Sequence, residues 1–258
     1  MGEQWTTIRR WLHHDGKLMS PDDMRAADPA IFEQMEADLA FQGFFQNFRN
    51  VRIKHPAGPA MADDVFLNDE EKWVRLTNVQ AATDTADLLR CFAAKTATHI
   101  ERYRLTHGTE VKVNGTIGIR DPKFNDYAVT FRKPDGTGHY ELFGEDHTIH
   151  APDGEVKIKN SILSFDVKGR LYERPLRAVG QTDLTPEVKD YRVDVTAGLF
   201  PYEVFSKRLP FTGVTAAVRT KGSDVNFDIK ASVLGGGMTL KGKRDDCREP
   251  NPYAGELR

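Results

Sequence analysis

Cysteine is scarce in this chain. Its 258 residues include two, Cys91 and Cys247, too few for a disulfide framework or a four-thiolate metal site. Thiols used so sparingly read as belonging to a reducing compartment, and the expectation is an intracellular, cytoplasmic protein. Long apolar runs are missing as well. No stretch approaches the roughly 18 residues needed to span a bilayer, and Met1-Gly2-Glu3-Gln4-Trp5 contains no apolar leader core. A soluble protein without a membrane span is expected. An excess of charge of one sign is absent too. The formal net charge is −2, which argues against general nucleic-acid binding, since such proteins carry a strongly basic face.

Catalytic signatures are also lacking. The chain has no Gly-x-Ser-x-Gly elbow and no dinucleotide fingerprint. Leu234-Gly235-Gly236-Gly237-Met238 is rich in glycine, but no Lys-Ser/Thr pair follows and both flanks read as strands. It is therefore expected to be a wide hairpin turn between strands over 225–233 and 238–243 and not a phosphate loop. No catalytic residue is assigned from sequence, and neither a cofactor nor a metal is expected.

What the chain does have is a change of texture near Gly108. Sixteen of its 21 glycines lie from Gly108 to Gly242. Ahead of that point, apolar residues recur at helical spacing. A short amphipathic helix is expected over residues 5–12. Ser20-Pro21-Asp22-Asp23 reads as a capped helix start, with serine as cap and proline at the first helical position. Phe32, Met35, Leu39, Phe45 and Phe48 suggest a helix over residues 29–48, and Leu88, Phe92, Ile100 and Tyr103 another over 84–106. Asn68-Asp69-Glu70-Glu71 resembles a capping box before a helix or strand at Trp73.

After Gly108 the pattern is short and alternating. Asn114-Gly115 predicts a tight hairpin turn, because both residues tolerate positive φ. Pro134-Asp135-Gly136 and Pro152-Asp153-Gly154 predict two more turns, between strands near 127–132 and 139–143 and between strands near 147–150 and 155–159. Val193, Val195, Ala197 and Leu199 are expected to share one face, as are Val225, Phe227, Ile229, Ala231 and Val233. The fold class that follows is α+β: a helical N-terminal part (residues 1–107) packed on a mostly antiparallel β sandwich or barrel (108–244), with a polar tail (245–258).

The densest titratable group runs from His139 to Glu155: His139, Glu141, Glu145, Asp146, His147, His150 and Glu155. Such residue types ligate divalent metals. The three-residue spacing of His147 and His150, however, sends the two rings to opposite faces of a regular strand. A charged hairpin edge is the reading preferred over a metal site. His13-His14-Asp15 and His99 are read as loop and helix residues without a catalytic role. The aromatic cluster Phe41 to Phe48, with Phe44 and Phe45, is read first as a buried helix end and second as a partner surface.

Three functions compete. The first is a non-enzymatic binding protein whose β region holds a small apolar ligand or a protein partner. The second is an enzyme, with metal assistance from the His139 to Glu155 region. The third is a structural or adaptor protein using an aromatic surface at Phe41 to Phe48.

Overall fold

The computed structural model describes residues 34–55, 58–82, 103–119, 121–142, 145–185, 190–204, 206–222, 224–245 and 253–257. The expected helices over 5–12 and after Ser20, and most of that over 84–106, lie outside these residues. So do His13, His14, Cys91, His99 and Cys247.

The described chain is an antiparallel meander. Its first half comprises β1 (Gln34–Gln42), β2 (Phe45–His55), β3 (Gly58–Asn68), β4 (Trp73–Ala81), β5 (Glu110–Gly118), β6 (Asp126–Arg132) and β7 (Thr137–Leu142). Its second half comprises β8 (Glu145–Lys159), β9 (Ile162–Leu171), β10 (Arg174–Asp183), β11 (Tyr191–Val204), β12 (Lys207–Lys221), β13 (Asp224–Val233), β14 (Gly236–Asp245) and β15 (Tyr253–Leu257). All fifteen belong to one sheet, in chain order from β1 to β15 except that β6 pairs directly with β8 and β7 lies beside β8 off the main path. Among the described residues β1 pairs only with β2 and β15 only with β14. The ladder there neither closes into a barrel nor divides into the two sheets of a sandwich. The α+β expectation is overturned: the described residues hold no α-helix, only a single 3-10 turn at Pro122–Phe124.

The helix expected over 29–48 is replaced, in its described part, by the β1–β2 hairpin, which turns at Gly43-Phe44. Met35 and Leu39 are four apart and share a face as alternate strand residues, whereas Phe45 and Phe48, three apart, lie on opposite faces. A second cause of the helical look is a line of kinks. Asn50 (φ 52) and Asn78 (φ 50) take left-handed conformations in β2 and β4. The register slips between β1 and β2 at Glu36/Asp38, and between β4 and β5 at Leu76/Val79. Each kink turns a two-residue apolar step into a three-residue one, as from Phe48 to Val51 and from Leu76 to Val79, which imitates helical periodicity. Side-chain amides hold the line together. Asn50 donates to Asp38 (2.7 Å), Asn78 donates to Asp63 (2.6 Å), and the Asn78 backbone N–H donates to the Asn114 carbonyl oxygen Oδ1 (2.7 Å).

Two of the three turn motifs are corrected too. Asn114-Gly115 lies inside β5, where Gly115 pairs with Leu76 on one side and Tyr127 on the other. Gly115 stands at φ 120, the freedom that a glycine supplies beside the β4 kink. Pro134-Asp135-Gly136 forms the expected turn between two strands, closed by Gly136 N–H to Lys133 O (3.1 Å), but β6 and β7 on either side run in line along the single strand β8. Its ends stay tied to β8 through Lys133 N–H to Pro152 O and Ala151 N–H to Gly136 O, both 2.9 Å. Pro152-Asp153-Gly154 is internal to β8, and the Phe131 ring covers Gly154 across the strand pair. The actual reversals use other residues. Asn68 caps a four-residue turn by accepting from the Glu70 and Glu71 N–H groups (3.1 and 3.0 Å), and Trp73 then opens a strand. Leu234-Gly235 (φ 50 and 81) makes the hairpin between β13 and β14, tighter than the wide turn expected because Gly236 and Gly237 already pair in β14.

One face of the sheet is apolar along its length. In one row Val113, Val129, Val156 and Phe165 align across β5, β6, β8 and β9. Val195 and Ala197 follow with Ala216 and Val214 opposite, then Phe227 and Ile229 in β13. The buried positions on this face are mostly small: Val51, Ala60, Ala62, Ala81, Val111, Ala197 and Ala231, with Leu76 and Leu171 as larger members. The other face carries cross-strand ion pairs such as Asp166–Arg177 and Asp194–Arg219.

Candidate partner-binding site

The aromatic cluster at Phe41 to Phe48 is not a buried helix end. It forms the outer hairpin of the sheet. Every residue of β1 is exposed. Leu39 is 50% exposed, Phe41 65% and Phe44 60%. Phe45, at 37%, stacks on Phe66 at 5.8 Å between ring centroids, and Phe66 meets Trp73 at 5.7 Å. Arg75 lies over Phe66, 5.3 Å from its centroid. The cluster thus divides. Phe45 leads into an aromatic row that packs, while Phe41 and Phe44 project at the rim with Leu39 and Met35.

Charge is ordered across the same strands. Glu36 and Asp38 of β1 face Arg52 and Arg49 of β2, and Arg49 faces Asp64 of β3 at 3.9 Å. Acidic, basic and acidic residues alternate from strand to strand, as opposed charges across a ladder favour. β1 ends the series with two carboxylates and no basic residue.

The His139 to Glu155 region is split by strand geometry. The unbroken β7–β8 register pairs His139 with Thr148, Glu141 with Asp146 and Tyr140 with His147. Alternation then places His139, Glu141, Asp146 and His150 on the charged face, with Glu145 and His147 on the apolar face. The rings of His147 and His150 do point to opposite sides. On the charged face, Asp146 pairs with Arg104, and His139 Nδ1 lies 3.4 Å from Asp146 Oδ2 without hydrogen-bond alignment. The Arg104 hydrogen bond, helped by the charges of Arg104 and His139, holds the Asp146 carboxyl below its ordinary range. Glu155 lies farther along β8 in an ion pair with Lys157 (2.8 Å).

On the apolar face His147 is 4% exposed. Phe200 of β11 covers it at 5.1 Å and Tyr172 meets it edge-on at 6.5 Å. The Tyr172 hydroxyl lies 3.5 Å from His147 Nδ1 and accepts from Arg208 at 3.0 Å, while Arg208 also reaches Glu145 at 3.3 Å. Tyr172 and Glu173 form the β9–β10 turn at φ 50 and 59, a strained choice where Asn-Gly is usual. Sequence reading missed Tyr172, Phe200 and Arg208, because nothing local ties them to His147. Their meeting depends on β11 extending past the end of β10.

Among the described residues no group of three or more His, Cys, Asp or Glu side chains is placed to hold a metal ion. No described helix is long and apolar enough to cross a membrane. An open groove of about 390 Å³ on the charged face is bordered by Glu155, Lys157, Asp166, Gln181, Arg192 and Asp194. No protein-family model, no curated protein and no solved structure matches the chain.

Proposed function

We propose that this chain is a non-enzymatic binding protein that offers the β1 edge and its aromatic rim to a protein partner. The observation that carries this reading is the exposure of β1: nine residues at the end of a sheet, all exposed, with Leu39 and Phe41 at 50% and 65%. Edge strands present unpaired backbone donors and acceptors, and proteins usually shield them with proline, lysine or short length. β1 is nine residues long and has no proline or lysine, so its shielding is confined to Glu36, Asp38 and the register slip between them. A long edge flanked by apolar side chains is the geometry of β-strand addition, in which main-chain bonds give affinity and alternate side-chain sites give selectivity. The division of the His139 to Glu155 residues between two faces, and the packing of His147 under Phe200, favour binding over catalysis for this chain.

The test uses a dye-labelled ten-residue peptide of alternating Thr and Val with a polyethylene glycol tail. Fluorescence anisotropy is expected to show saturable binding to the protein and none to Phe41→Asp, whose melting temperature should be unchanged. Absence of binding to the parent protein, or equal binding to the variant, would overturn the reading.

A further inference from the structure

Resting on that reading, we infer that the partner strand added at β1 is basic and apolar in alternation, with two Lys or Arg residues two positions apart. The inference comes from the charge order of the sheet. Asp38, Arg49 and Asp64 stand in one row across β1, β2 and β3, and Glu36 faces Arg52 in the next. Both carboxylates lie on the same face of β1, two residues apart, while Met35, Leu39 and Phe41 line the other face. A strand laid beside β1 sets its own alternate residues against these two rows. Basic side chains opposite Glu36 and Asp38 continue the alternation, and acidic ones there repel. Apolar side chains opposite Leu39 and Phe41 remove from water the surface that β1 leaves exposed.

The same charges disfavour a second copy of this chain as occupant. Two β1 strands paired about a two-fold axis through Asp38, the middle residue, set the two Asp38 carboxylates opposite each other and place each Glu36 opposite Ala40, one diagonal step from the other copy's Asp38, with no basic residue in either strand to offset them.

Two further peptides, alternating Lys with Val and Glu with Val, are compared with the Thr–Val peptide by anisotropy at low salt. The Lys peptide is expected to bind about tenfold tighter than the Thr peptide, and the Glu peptide weaker than both. The Lys advantage should vanish at 1 M salt, where screening is nearly complete. The double variant Glu36→Lys with Asp38→Lys should reverse the order, and Glu36→Gln with Asp38→Asn should level it. Equal binding of all three peptides to the parent protein would overturn the basic-partner inference and leave the edge-binding reading standing. Failure of all three to bind would remove both. A concentration-dependent dimer that blocks the Thr–Val peptide would assign the edge to a second copy and would also overturn the inference.

Discussion

Replacing Gly115 by alanine tests the corrected fold at the point where the sequence was most misleading. In a hairpin turn, alanine at this position would meet open solvent. In mid-strand it does not. A Cβ on Gly115 would fall 2.2 Å from the Asp126 carbonyl oxygen and 2.6 Å from the Tyr127 Cα, both backbone atoms of β6. The residue also stands at φ 120. Holding an L-residue there costs about 1–3 kcal/mol. Parting β5 from β6 costs about another 1–3 kcal/mol, by analogy with overpacked interiors. Reduced freedom of the unfolded chain returns about 0.4–1 kcal/mol. The expected net loss is about 1–5.5 kcal/mol, centred near 3, a large share of the 5–15 kcal/mol that small domains typically have. Urea unfolding followed by circular dichroism measures it. Gly43→Ala is the control, since Gly43 has φ 60 but nothing within 4 Å of the added carbon, and about 1–2 kcal/mol is expected. A Gly115→Ala variant that folds and loses no more than the control would refute the mid-strand placement.

Other substitutions probe single features. Leu234 sits at φ 50 in a two-residue turn and is 81% exposed, so Leu234→Asn should stabilise the protein by about 1 kcal/mol and raise its Tm. The Arg177 guanidinium donates twice to Asp166, at 2.9 and 2.7 Å, and that bonding lowers the Asp166 carboxyl below its ordinary value. A lowered folded-state value adds stability that is present above the unfolded value of about 3.9 and is lost as pH falls through the folded one. Arg177→Gln should therefore raise the Asp166 titration midpoint read by carboxyl NMR, and the fall in urea midpoint between about pH 5 and 2 should become shallower.

Parts of β11 and β13 were the legible part of the fold. Val193, Val195 and Ala197 alternate as read and share a face opposite Val218, Ala216 and Val214, whereas Leu199, expected with them, leaves that face because its neighbour Phe200 packs there on His147. The run from Val225 to Val233 forms most of β13. The Leu234-Gly235 turn was legible because a glycine-rich link between two alternating runs supplies the positive φ that a strand reversal needs. The N-terminal strands were not legible. Kinks at Asn50 and Asn78 break the two-residue period, and the signal that survives resembles a helix. Asn114-Gly115 and Pro152-Asp153-Gly154 misled for a related reason. Residues that permit a turn also permit a bulge, and only the neighbouring strand decides between them. At the site, the face assignment of His147 and His150 followed from spacing alone. The exposure of Phe41 and Phe44 did not, because an aromatic cluster is read as core until an edge strand is known to carry it.

The central claim is that residues 34–42 form a strand whose outer edge has no partner among the described residues. Amide hydrogen exchange at single-residue resolution tests it most directly, on the free protein without any peptide. An edge strand bonds its neighbour through alternate residues, so protection in β1 should alternate with a period of two, slow amides facing β2 and fast ones facing solvent. In β3, paired on both sides, exchange should be slow throughout. Uniform protection across residues 34–42, as a helix or an already covered edge would give, would contradict the account.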